Sequence, residues 1–174
     1  MHRLTGLLIA ALLTAAPAAV RAADSLDVVL GPVATTETDW NGFYAGVYGV
    51  TQISPLGGTQ VGLGVNLGVN ARLEFVLVGA EVAVQGLVGG AGGSTYVQTL
   101  GRVGVAATDE VILYGAGGVG LDLGPVGGTD ALVGGGVELA LTDSVSLRGQ
   151  YMHGFDIVGA NPKEQVSVGA NFHF

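Results

Sequence analysis

The chain has 174 residues, a formal net charge of −8, charged residues at only 11% and apolar residues at 49%. The acidity weighs against a nucleic-acid partner, and a water-soluble domain usually carries about a quarter of its residues as charges to build its surface. The chain contains no cysteine, which excludes a disulfide scaffold and thiolate-bound metal and weighs against attachment through a lipidated N-terminal cysteine.

The basic start Met1-His2-Arg3, the apolar run from Leu4 to Ala16 and the small-residue stretch after Pro17 predict a secretory signal peptide over 1–22. Val20 and Ala22 occupy the two small-residue positions of a cleavage site after Ala22. Residues 23–39 carry Asp24, Asp27, Glu37, Asp39 and a Gly31-Pro32 break with little periodicity, and read as a flexible periplasmic leader. Beyond residue 22 no apolar run reaches the roughly 18 to 20 residues that a membrane helix needs. The other structure that satisfies every backbone group in lipid is a closed β-barrel, and residues 40–174 are predicted to form one.

From Trp40 the chain alternates small or polar with apolar residues in segments divided by turn residues. The predicted strands are Asn41–Ile53, Gln60–Arg72, Phe75–Leu87, Thr95–Ala107, Val111–Leu123, Ala131–Leu141, Val145–Phe155 and the terminal Glu164–Phe174. The expected fold is therefore all-β, an eight-stranded antiparallel up-and-down transmembrane barrel. Each strand is long enough to cross a bilayer when tilted. Tight reversals at Leu73-Glu74, Thr108-Asp109-Glu110 and Thr142-Asp143-Ser144 should be periplasmic, and the Gly/Pro-rich connections between them extracellular.

Alternation puts the rare mid-strand charges on the less apolar face: Glu81 with Gly79, Ala83 and Gln85, Arg102 with Gln98 and Gly104, Glu138 against Val137 and Leu139, and Arg148 with Ser146 and Gln150. A reversal centred on Asp143 sets Glu138 opposite Arg148, and one near Ala91-Gly92 brings Glu81 close to Arg102. Two lumen ion pairs are expected, joined by Arg72, Asp122 and Asn66, in a space that eight strands leave just wide enough for side chains to fill. An arginine partner favours the ionised carboxylate, which suits a structural pair and neither a proton donor nor a base.

Gly115-Ala116-Gly117-Gly118-Val119-Gly120 matches the dinucleotide fingerprint in form, but Leu121-Asp122-Leu123-Gly124-Pro125 follows with no helix pattern, so nucleotide binding is not expected. His153 and His173 fall on opposite faces of different strands, which argues against a metal site. No catalytic residue, cofactor or metal is assigned. Trp40, Phe75, Phe172 and Phe174 at one end and Tyr96 and Phe155 at the other suggest interfacial aromatic belts. The facing of the first strand stays open, with Tyr44 and Tyr48 on one parity and Phe43, Ala45 and Val47 on the other.

Trp40-Asn41-Gly42-Phe43-Tyr44-Ala45-Gly46, Leu100-Gly101-Arg102-Val103-Gly104, Leu113-Tyr114-Gly115-Ala116-Gly117-Gly118, Gly134-Gly135-Gly136-Val137-Glu138 and Ser146-Leu147-Arg148-Gly149-Gln150-Tyr151 occur in that order. In these segments, from Trp40 to Phe174, the chain resembles the small porin-family or opacity-type outer-membrane proteins with an OmpA-like membrane domain. The resemblance implies a chiefly structural barrel of the bacterial outer membrane, sometimes a surface antigen or adhesin. It also implies a terminal Phe174 read as an assembly signal by the barrel-assembly machinery, with periplasmic chaperones, outer-membrane lipid as the other partner, and a monomeric state. The short external loops and few aromatics depart from the pattern and weigh against adhesion. A narrow passive pore, favoured by a row of small lumen residues such as Gly62, Gly64, Gly104, Gly118 and Gly136, and an enzyme acting on outer-membrane lipid are the alternative readings.

Overall fold

The computed structural model describes residues 39–174 other than 91, 126 and 159. The predicted signal peptide and all but the last residue of the leader lie outside the described residues. Eight strands, β1 (Gly42–Ser54), β2 (Gly58–Leu73), β3 (Val76–Gly89), β4 (Ser94–Ala106), β5 (Val111–Asp122), β6 (Gly128–Thr142), β7 (Val145–Asp156) and β8 (Lys163–His173), follow one another around a closed antiparallel barrel. Period-two alternation makes this arrangement stable, because each strand then has one face for the lumen and one for the outer wall.

The hairpins are local and their registers continuous, apart from a shift between Ala140 and Thr142 in the β6–β7 pair. Closure is non-local: β8 pairs with β1 from Tyr44 opposite His173 to Ile53 opposite Glu164, and the Phe174 amide donates to the Phe43 carbonyl at 2.9 Å. No sheet edge remains within the barrel, so every strand has two hydrogen-bonded neighbours.

The connections 74–75, 107–110 and 143–144 lie at the end that also holds both barrel termini, here the turn end. The connections 55–57, 90–93, 123–127 and 157–162, longer on average, lie at the opposite, loop end. In the β2–β3 turn Glu74 takes a left-handed φ of 56°, a conformation in which a non-glycine residue is uncommon.

The outer wall is apolar and exposed, with Val47, Leu63, Val65, Leu67, Val82, Val103, Val119, Val137 and Val168 among its residues. An apolar surface that rings the whole barrel is far beyond the isolated patches of a water-soluble protein. It is the lipid-facing belt of a membrane-spanning barrel, whose backbone groups are all satisfied strand to strand. No helix among the described residues is long and apolar enough to cross a membrane.

The predicted strands agree with the observed ones, the largest difference being at β6, which begins at Gly128. The turn residues Gly124-Pro125-Val126-Gly127-Gly128 predict a loop before Ala131, but Thr129 and Asp130 continue the alternation and pair with β5. The first strand turns Tyr44 and Tyr48 inward and Phe43 and Val47 outward. The glycine run 115–120 lies wholly within β5 and opens no helix.

Candidate functional site: the charged lumen

The barrel interior gathers the polar inward residues of all strands. Near its middle the structure brings Glu81 of β3, Arg102 of β4, Glu138 of β6 and Arg148 of β7 into one cluster. Arg102 Nη2 donates to Glu138 Oε2 at 2.9 Å and its Nη1 lies 3.6 Å from Glu81 Oε2. Arg148 Nη1 reaches Glu81 Oε2 at 2.5 Å and its Nε donates to Glu138 Oε2 at 3.3 Å. Glu138 and Arg148 are directly opposed, as hairpin counting predicts, whereas Arg102 faces Gly79 and sits diagonal to Glu81. The two expected pairs are thus one tetrad, because the arginine side chains span the lumen and each reaches both carboxylates.

Neighbours meet part of the remaining hydrogen-bonding capacity, while Arg102 Nε and Arg148 Nη2 are buried without a hydrogen-bond partner. Glu138 Oε1 accepts from Ser146 Oγ at 2.6 Å and Asn171 Nδ2 at 2.7 Å, and His173 Nε2 stands 3.4 Å away. Glu81 Oε2 accepts from the Tyr44 hydroxyl at 2.7 Å, while Arg102 Nη1 donates to that same oxygen of Tyr44 at 2.7 Å. Asn66 bridges Glu81 to Asn171. The Arg102 guanidinium lies 4.0 Å from the Tyr114 ring centre and 5.4 Å from that of Tyr44, a cation–π arrangement. Two carboxylates and two guanidiniums leave the tetrad electrically neutral, so their mutual attraction offsets the cost of taking four charges out of water.

Arg72 and Asp122 do not join the tetrad, contrary to expectation. Arg72 is the penultimate residue of β2, where its Nε donates to the Glu74 carbonyl at 3.0 Å, and Asp122 ends β5, where its carboxylate accepts from the Gly124 amide at 2.9 Å. Sharing a face does not put residues at the same height, and these two occupy opposite ends of the lumen.

A second ion pair escaped the sequence reading. Lys163 Nζ donates to both oxygens of Asp130, at 2.9 and 2.8 Å, and the Tyr96 hydroxyl adds a third hydrogen bond at 2.7 Å. Asp130 and Lys163 are 0% and 1% exposed, so this pair closes the lumen toward the loop end. Extending the alternation of β6 back from Glu138 through Gly136, Gly134 and Leu132 would have put Asp130 inside. Lys163 lay hidden behind a Pro-containing loop. Beside them Gln165 donates to Gln52 and Gln52 to Gln60, an amide chain across β8, β1 and β2.

The turn end is closed by Trp40, 1% exposed, whose indole packs edge-on against His173 and donates to the Asp109 carbonyl at 3.3 Å. This corrects the aromatic belt: Trp40 and Tyr96 point into the lumen, where their polar atoms find partners. Phe75, Phe155, Phe172 and Phe174 stay exposed on the outer side. Phe174 stacks near Phe43 and Phe172.

The lumen glycines are occupied space. Tyr44 lies across Gly68 and Tyr48 across Gly64, each pair directly opposed in the β1–β2 ladder, and Tyr114 lies across Gly136 of β6. A Cβ at Gly64 would stand 2.6 Å from Tyr48 Cε2, and one at Gly68 2.7 Å from Tyr44 Cε1. Beside the tetrad a cavity of about 10 Å³ is lined by residues including Asn66, Gln98, Arg148 and Gln150. That is room for about one water molecule.

A closed antiparallel barrel with a lipid-facing wall and a filled, charge-neutral interior defines a small membrane β-barrel of the bacterial outer-membrane type. Its fold is similar to that of Ail, the attachment invasion locus protein of Yersinia pestis, with a TM-score of 0.59 at 14% identity, covering 77% of this chain and 99% of that one. It is also similar to Neisserial surface protein A (0.55, 15%, 76% and 97%) and to the N-terminal β-barrel domain of Pseudomonas aeruginosa OprF (0.50, 10%, 76% and 99%). No family model matches the chain. No curated protein matches it by sequence.

Proposed function

We propose that the protein is a structural barrel of the outer membrane that contributes to envelope integrity or surface properties, with a closed lumen and no catalysis. The observation that carries this reading is the neutral Glu81–Arg102–Glu138–Arg148 tetrad, which fills the middle of the lumen and leaves beside it a void of about one water. Trp40 below it and the Asp130–Lys163 pair above it add two further closures. The turn end is assigned to the periplasm and the loop end to the exterior, following the usual difference in connection length. Phe174 is read as the assembly signal and the barrel as a monomer.

The pore alternative relied on small lumen residues, and tyrosine rings lie across Gly64 and Gly136, two of the five. Planar-bilayer recording tests the choice: the reading expects no steady conductance from the folded protein, and a reproducible open channel would overturn it. A structure of Ail has been described with the heparin analogue sucrose octasulfate. The corresponding reading for this chain, capture of a polyanion, lacks a cationic surface, because the loops 55–57, 90–93, 123–127 and 157–162 contain no lysine or arginine. Release of fatty acid from outer-membrane lipid by the purified barrel would overturn the non-catalytic part of the proposal.

A further inference from the structure

Among the described residues, the outward positions of the eight strands carry three ionisable side chains, Tyr151 and His153 of β7 and Glu164 of β8, and these form one cluster. His153 is directly opposite Glu164, and its Nδ1 lies 2.7 Å from Glu164 Oε1. The Tyr151 hydroxyl donates to Glu164 Oε2. The surroundings are apolar: Ile53 opposes Glu164 across the closing seam, Val133 opposes His153, Val166 opposes Tyr151, and the Phe155 ring packs 4.4 Å from the imidazole. All three side chains are partly exposed on the wall near the loop end. Glu164 is the second residue of β8, beside the 157–162 loop, where a carboxylate on the wall is tolerated at modest cost and stands at the level of lipid headgroups.

We propose that Glu164, held by Tyr151 and His153, is a binding site on the outer wall for a lipid whose headgroup carries a primary ammonium. The inference rests on the membrane-barrel reading, since only then are lipids the molecules that touch this face. With the imidazole Nδ1–H and the phenol donating into Glu164, each carboxylate oxygen keeps a free lone pair, and the imidazole Nε2 is a further acceptor. The cluster therefore presents acceptors and one negative charge. A primary ammonium supplies three donors and the opposite charge. A phosphate alone would be repelled, and a trimethylated ammonium has no N–H to donate.

The full chain, inserted into phosphatidylcholine nanodiscs doped with phosphatidylethanolamine or with phosphatidylglycerol, is to be extracted and its retained lipid counted by native mass spectrometry. The expected result is an enrichment of phosphatidylethanolamine over phosphatidylcholine by about fivefold, what one hydrogen bond of ordinary net strength provides. Glu164→Gln, which keeps the side-chain size, and His153→Val should abolish it. Enrichment that survives Glu164→Gln, equal retention of phosphatidylglycerol, or a change in oligomeric state in place of lipid retention would each overturn the site. Heat-modifiable gel migration of every sample reports the inserted barrel independently, so a failed headgroup site is distinguished from a failed barrel.

Discussion

Arg102→Met tests whether the lumen tetrad holds the barrel together. Arg102 is completely buried, donates to Glu138 and to Tyr44, and stacks on Tyr114. Methionine fills much of its volume but leaves Glu81 and Glu138 sharing Arg148 alone, one uncompensated negative charge inside the barrel. Removing one member of a buried ion pair typically costs about 3–5 kcal/mol, and the upper half of that range is expected here because two hydrogen bonds go with the charge. Glu138→Gln leaves the opposite imbalance, two guanidiniums facing Glu81, and should cost about 3 kcal/mol by the same reasoning. The Arg102→Met/Glu138→Gln double variant restores neutrality, so its loss should fall short of the sum of the single losses by about 1–3 kcal/mol, the coupling expected for residues in contact. Urea unfolding in lipid vesicles can be followed through the single tryptophan, Trp40, which packs against His173 at the turn end. Unfolding of Arg102→Met at the wild-type urea concentration, or strict additivity in the double variant, would refute the idea that charge balance in the lumen stabilises the fold.

Gly68→Ala should destabilise the barrel by about 1–3 kcal/mol, because the new methyl meets a Tyr44 ring pinned by Glu81 and Arg102; equal or higher stability in the same urea titration would show the ring free to move. Lys163→Met strands the Asp130 carboxylate and should cost about 3 kcal/mol, whereas Lys163→Met with Asp130→Leu should recover most of it, since apolar replacement of a buried pair is often neutral. Equal midpoints for these two variants would contradict that account. Phe174→Ala should lower the fraction assembled in the outer membrane of cells several-fold, yet shift the unfolding free energy of refolded protein by less than about 1 kcal/mol, because the ring is exposed and its backbone bond to Phe43 is kept. Normal assembly in cells would remove its role as a signal.

The sequence by itself determined the strand count, the inward and outward faces of β2 to β8 and the registers across the tight reversals. Those properties are local: alternation is read residue by residue, and a tight reversal such as the one at Asp143 sets Glu138 against Arg148 by counting. Its errors also trace to local reading, since Gly127 and Gly128 made the start of β6 look like a loop and hid Asp130. Glu164 and His153 shared a hairpin register that counting could have exposed, but a six-residue stretch of loop, 157–162, blurred it. Only the tertiary structure decided which side chains meet across the lumen. Arg148 reaches Glu81 over 67 residues of chain, Trp40 reaches Asp109 over 69, and β8 closes on β1, because curling the sheet into a cylinder brings distant strands within one side-chain length. That closure turned two expected ion pairs into one neutral tetrad and drew Trp40 and Tyr96 from a supposed surface belt into the core.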